Sequence, residues 1–152
     1  MANGFWYKER IPMSVQEQAK EYVPAGSYQR TSQNINVTLT ALCQKNDGSW
    51  VQSPPLSYSA NQAGSITDLA NMDGVLTLFT DNPANHNVSD NLGPFVPAGS
   101  YQRTSQQVSV TLNAVCQKID GQWVPSQPLN YTAEQAANAK DIANRDGNLR
   151  LE

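Results

Sequence analysis

Charge is scarce in this chain. Acidic and basic side chains make up only 15% of its 152 residues, and they nearly cancel to a net charge of −3. Without a basic run or patch, the electrostatic footprint for nucleic acid or an anionic membrane surface is missing. Histidine is scarcer still: His86 stands alone, so no histidine-based triad can recur in a duplicated chain. Cys43 and Cys116 are the only cysteines and lack CxxC or HxxxH company, short of the four ligands of a zinc site. No cofactor or metal is expected. No apolar run approaches the roughly 18 residues of a membrane span, and the opening MANGFWYKERIP holds no apolar signal core. As it stands, the sequence predicts no membrane insertion and a cytoplasmic default, which makes the sequons at Asn36, Asn87 and Asn130 coincidences.

What the chain does have, it has twice. VPAGSYQRTSQ fills positions 23–33 and returns unchanged at 96–106, an offset of 73 residues. The match runs without a gap to the C-terminus, with 36 identities among the 57 pairs of 23–79 with 96–152. Such a match is a duplicated structural unit, and two copies are too few for a solenoid. One 57-residue copy alone buries too little surface to be stable, which favours halves that lean on each other. The organisation is then an N-terminal extension 1–22, repeat 1 over 23–79, a linker 80–95 and repeat 2 over 96–152.

Period-two alternation puts Ile35, Val37, Leu39, Ala41 and Cys43 on one face of a strand, and Val108, Val110, Leu112, Ala114 and Cys116 on its copy. Segments 26–33 and 99–106 suit a partner strand, and Asp47-Gly48 and Asp120-Gly121 signal hairpins that return through Trp50 and Trp123. Each repeat is thus expected to hold a three-stranded sheet. Ser59 with Gln62 and Thr132 with Gln135 have capping-box spacing, which predicts helices over 60–71 and 133–144. Each helix would end at a turn, Asp73-Gly74 or Asp146-Gly147, that launches a last strand. A capping box at Ser14 and Glu17 predicts a short helix ending at Tyr22, behind an aromatic cluster of Phe5, Trp6 and Tyr7. The fold class is all-β with short helices, in two pseudo-symmetric halves.

The order GSYQRTS, an alternating strand ending in Cys, a DGxW hairpin and a closing NxDGxL resembles the cyanovirin-N family in both copies. That family comprises tandem-repeat lectins for high-mannose glycans. The resemblance implies a domain whose halves each join a three-stranded sheet to a β-hairpin exchanged between the repeats. It also implies two sugar sites. The first would use Arg30, Thr31, Gln44 and Asn46 with Asn144 and Asp146; the second would use Arg103, Thr104, Gln117 and Lys118 with Asn71 and Asp73. A turn carboxylate beside an amide suits sugar hydroxyls, which both donate and accept hydrogen bonds. The sites need not be equal, since Asn46 becomes Ile119 and Met72 becomes Arg145 in the second copy. The family's disulfide partners for the strand-ending cysteines fall on Ser32 and Ser105, which implies free, buried thiols.

The leading expectation is a non-enzymatic lectin for mannose-containing oligosaccharides or glycoproteins, a monomer or domain-swapped dimer. A protein–protein interaction module on the same scaffold is the alternative. A glycosidase is the third reading, and it would need two carboxyls flanking the scissile bond, one with its pKa raised by burial.

Overall fold

The computed structural model describes residues 21–80 and 92–152. The aromatic arm, most of the helix expected to end at Tyr22, and linker positions 81–91 with His86 lie outside the described residues. The rest is mostly β. Two thirteen-residue strands, β1 (Ser32–Gln44) and β6 (Ser105–Gln117), pair antiparallel along their whole length. β2 (Trp50–Gln52) and β3 (Leu56–Ser59) pair with the outer edge of β1, and β7 (Trp123–Pro125) and β8 (Leu129–Thr132) with that of β6. Pro54 and Pro55, which lack a ladder N–H, explain why β2 and β3 are separate pieces of one edge. Two hairpins are the remaining strands among the described residues: β4 (Asp68–Met72) with β5 (Val75–Phe79), and β9 (Ile142–Arg145) with β10 (Asn148–Leu151).

The alternating residues behave as their spacing predicts. Val37, Leu39, Ala41, Cys43, Val110, Leu112 and Cys116 are fully buried, with Ile35, Val108 and Ala114 nearly so. Both cysteines are free thiols in this core. Burial of one such Val, Leu or Ile contributes about 1.5–3 kcal/mol, so this face supplies much of the driving force.

Three expectations are corrected. Segments 26–33 and 99–106 do not form partner strands. Ser27–Thr31 and Ser100–Thr104 are short 3-10 helices, and from Ser32 and Ser105 onward the chain already belongs to β1 and β6. A hairpin needs at least two turn residues, whereas Asn34 alone, at φ 54°, inserts one residue as a β-bulge, and Gln107 at φ 53° does the same in β6. Secondly, the three strands of each repeat do not close into a separate sheet; they merge through β1–β6 into one of six strands. Thirdly, the helices are single turns. α1 (Ala60–Ala63) and α2 (Ala133–Ala137) start at the expected capping boxes, with Ser59 and Thr132 accepting from the N–H groups of Gln62 and Gln135. They stop early because Gly64, Ser65 and Thr67, or Asn138, are poor helix formers, and the stretch beyond them is taken up by β4 and β9.

Positions 73 apart carry like contacts. The Tyr28 and Tyr101 hydroxyls donate to the carbonyls of Pro24 and Pro97, both at 2.5 Å. Those of Tyr58 and Tyr131 donate to the carbonyls of Tyr22 and Phe95 at 2.6 and 2.7 Å. Ala25 N–H donates to Pro94 and Ala98 N–H to Glu21, so the correspondence reaches past position 23 to 21. It breaks at Tyr22, whose buried hydroxyl has no hydrogen-bond partner among the described residues and whose counterpart is Phe95. A buried, unmatched hydroxyl costs about 1–3 kcal/mol of desolvation. Tyr22→Phe is therefore expected to leave the melting temperature unchanged or raise it; a drop of several degrees would show that the hydroxyl has a partner.

Candidate functional site

The two terminal turns are built alike. Asp73 and Gly74 stand at φ 52° and 94°, and Asp146 and Gly147 at 54° and 95°, the two left-handed residues of a type I′ hairpin. At Gly74 a Cβ would meet Val51 Cγ2 at 2.7 Å and Lys45 Cγ at 3.0 Å. The turn therefore packs directly on the loop between β1 and β2. Gly147 sits in the same way against Val124 and Lys118.

Hydrogen bonds lock that packing. Asn71 Nδ2 donates to the Gln44 carbonyl at 2.8 Å and to Thr104 Oγ1 at 2.9 Å, while its Oδ1 accepts from Gly74 N–H at 2.8 Å. Asp73 Oδ1 accepts from Asn46 N–H at 2.8 Å. In the other turn Asn144 Nδ2 donates to the Gln117 carbonyl and Thr31 Oγ1 at 2.8 and 2.9 Å, and Asp146 Oδ1 accepts from Ile119 N–H at 2.9 Å. The Gln44 and Gln117 side chains brace their own loops by donating to the Gly48 and Gly121 carbonyls.

The candidate residues thus assemble into two clusters, regrouped relative to expectation. Thr31 meets Asn144, and Thr104 meets Asn71, as the expected sets have it. Gln44 and Asn46, however, lie with Asn71 and Asp73, while Gln117 and Lys118 lie with Asn144 and Asp146. The cause is the β1–β6 register: Cys43 faces Ser105 and Ser32 faces Cys116, so the end of each long strand adjoins the start of the other. Arg30 and Arg103 are exposed next to Thr31 and Thr104. Lys45 joins its cluster without having been singled out from the sequence, and Ile119 stands where Asn46 does in the other cluster. Lys45 was recoverable as the repeat counterpart of Lys118.

A second tether escaped sequence reading. Asp68 accepts from the Ser100 N–H at 2.9 Å and hydroxyl at 2.5 Å, and Asp141 accepts from Ser27 in the same way at 2.8 and 2.5 Å. These bonds hold each hairpin to the 3-10 helix that supplies the threonine. The hydrogen bonds from Ser27 lower the Asp141 pKa, so this tether weakens as the pH falls below the ordinary carboxylate range. Identity of Asp68 and Asp141 between repeats was the available signal.

Chemically, Asn71 and Asn144 are committed to holding the turns. The groups left to meet a ligand are the second oxygens of Asp73 and Asp146, the threonine hydroxyls, and the ammonium groups of Lys45 and Lys118. Each rim has an exposed apolar part, Met72 and Val75 in one cluster and Ile119 in the other, where Arg145 and Asn148 replace Met72 and Val75. Among the described residues no group of His, Cys, Asp and Glu could hold a metal ion. No protein-family model, curated protein or solved structure matches this chain.

Proposed function

We propose that this protein is a non-enzymatic lectin that binds mannose-rich, α-linked oligosaccharides at the two turn clusters. In this reading it is built of two pseudo-symmetric halves, each site closed by the opening segment of one repeat and the terminal hairpin of the other. The observation that carries it is the duplicated convergence of a turn carboxylate fixed by a backbone N–H and a threonine hydroxyl fixed by a committed asparagine, with a lysine packed beside the turn glycine. Rigid, preformed polar groups bind a neutral polyol without an ordering penalty. Hydrolysis is disfavoured because Asp47 and Asp141 are shifted down by hydrogen bonds, and Glu21, raised by burial, lies at neither turn. A protein-interaction role draws on one specific observation, the 88% exposure of Ile119 at a turn rim.

The test is an NMR titration with α-linked mannobiose on Asp73→Asn and Asp146→Asn variants. Asparagine tolerates the left-handed backbone of these turns and still accepts the N–H bond, so only the charge is lost. Asp146→Asn should remove sugar-induced shifts at Thr31, Gln117 and Lys118 and leave those at Thr104, Gln44 and Lys45; Asp73→Asn should do the reverse. Each loss is expected to cost about 1.5–3 kcal/mol in its own site. Wild-type spectra unchanged by mannobiose would end the mannose reading.

A further inference from the structure

One side of the six-stranded sheet covers the core, and the other faces solvent. Every paired position on the solvent side of β1, β2, β3, β6, β7 and β8 is Ser, Thr, Asn, Gln or apolar, and none carries a charge. None of these side chains is buried. The charged residues of the described chain collect instead at loops, turns, helices and the two hairpins. An exposed sheet without charge invites edge-to-edge association, and charged side chains are the ordinary protection. Over so wide a face the only polar groups are neutral hydroxyls and amides, which offer an ionic ligand no counter-charge and suit a ligand that carries none.

The chemistry of the face identifies that ligand. Trp50 stands opposite Gln44, and Trp123 opposite Gln117, at opposite ends of the β1–β6 pair. At about 3.3 Å per residue the two indoles are roughly 40 Å apart along the strands. Both are partly exposed, at 39% and 43%. Between them Thr38 is hydrogen-bonded to Ser57 and Thr111 to Asn130, so hydroxyls and amides stand in fixed rows. A groove of ≈ 550 Å³ runs over Thr40, Gln52, Ser109 and Thr132, with Glu134 of α2 at its border. A second, of ≈ 470 Å³, lies at Asn34, Asn36 and Ser59. These volumes are within the range of ligand clefts. A protein partner would want an apolar centre with a polar rim; here the centre is polar and the aromatics are at the ends.

We infer that this face is a second carbohydrate surface, which borders the turn clusters only at its two ends and takes an extended neutral polysaccharide. The tryptophans stack on the apolar faces of sugar rings at the two ends, and the Thr, Ser and Asn rows between them exchange hydrogen bonds with the chain's hydroxyls.

Affinity electrophoresis of the full chain through native gels tests this. Gels containing mixed-linkage β-glucan or xylan, both free of mannose, are compared with gels containing anionic alginate. Wild-type protein should be retarded by at least one of the neutral polymers, not by alginate, and excess α-linked mannobiose should not release it. Trp50→Ala/Trp123→Ala should weaken binding about tenfold or more, and Trp50→Phe/Trp123→Phe should recover most of it. Should the alanine pair fail to fold, Thr40→Lys/Ser109→Lys lays long side chains across the groove and should weaken binding as strongly. Absence of retardation in both neutral polymers, release by mannobiose, or undiminished binding by the charged pair would each overturn the inference. Because mannobiose binding at the turns is read separately, failure here leaves the mannose sites standing, and the reverse.

Discussion

Raising the pH above 10 is expected to unfold this protein cooperatively, before it reaches about pH 12. Five of its six tyrosines, Tyr22, Tyr28, Tyr58, Tyr101 and Tyr131, are at most 2% exposed. Burial raises all five above the ordinary value of 10.0. Four of them donate to backbone carbonyls, a role that a tyrosinate cannot fill. The unfolded chain releases these protons near pH 10 and the folded one holds them. Their contribution is complete below pH 10 and is lost as the pH climbs toward the raised folded values. At about pH 11 each buried tyrosine subtracts about 1.4 kcal/mol, and five together about 7 kcal/mol. That is comparable with the 5–15 kcal/mol that holds a typical domain together. Tyrosinate absorbance and far-ultraviolet circular dichroism followed in one alkaline titration should change together and steeply. Tyrosines that ionise near pH 10 while the dichroism stays native would contradict their burial.

A single substitution should reveal which strand lies beside which. Ser32 Oγ is 3.3 Å from Cys116 Sγ, and Ser105 Oγ is 3.4 Å from Cys43 Sγ. Under mild oxidation Ser32→Cys is expected to form a disulfide with Cys116, read by peptide mapping. The bridge closes a loop of about 85 residues, for which chain entropy gives about 4–5 kcal/mol of added stability. Its melting temperature should rise well above that of the same variant reduced. The unsubstituted protein should show no reactive thiol when native and two when denatured, as two buried free cysteines require. Resemblance to disulfide-bearing lectins would instead join position 32 to Cys43 within one repeat. Recovery of that 32–43 peptide would refute the β1–β6 pairing and the regrouping of the turn clusters that depends on it.

The contrast between those two bridges shows where sequence reading succeeds and where it stops. Alternation from Ile35 to Cys43 told which side chains face inward, because an apolar set on one face of a strand has few alternatives. The Asp-Gly pairs told where chains reverse, and the Ser59 and Thr132 caps told where helices begin. Neighbours were another matter. Two nearly identical strands satisfy the same pattern whether each folds back within its own repeat or lies along its copy, so side-chain chemistry is degenerate between the arrangements. What decided it was the lack of a two-residue turn between Gln33 and Ile35, a negative signal that the strand-like composition of 26–33 masked. The helices over 60–71 and 133–144 were over-extended for a related reason. A good cap starts a helix but does not fix its length, and the tethers from Asp68 to Ser100 and Asp141 to Ser27 are long-range contacts that no local window contains.

The union of β1 with β6 also sets a schedule for biosynthesis. β1 finds its long neighbour only when residues 105–117 leave the ribosome, an offset of 73 positions later in the chain. At about 5–20 residues per second the first repeat waits roughly 4–15 s with one edge of its longest strand open. During that wait the nearest matching edges belong to other copies of the same protein on neighbouring ribosomes of one message. Slow initiation, which spaces ribosomes apart, would lengthen the distance between such open edges.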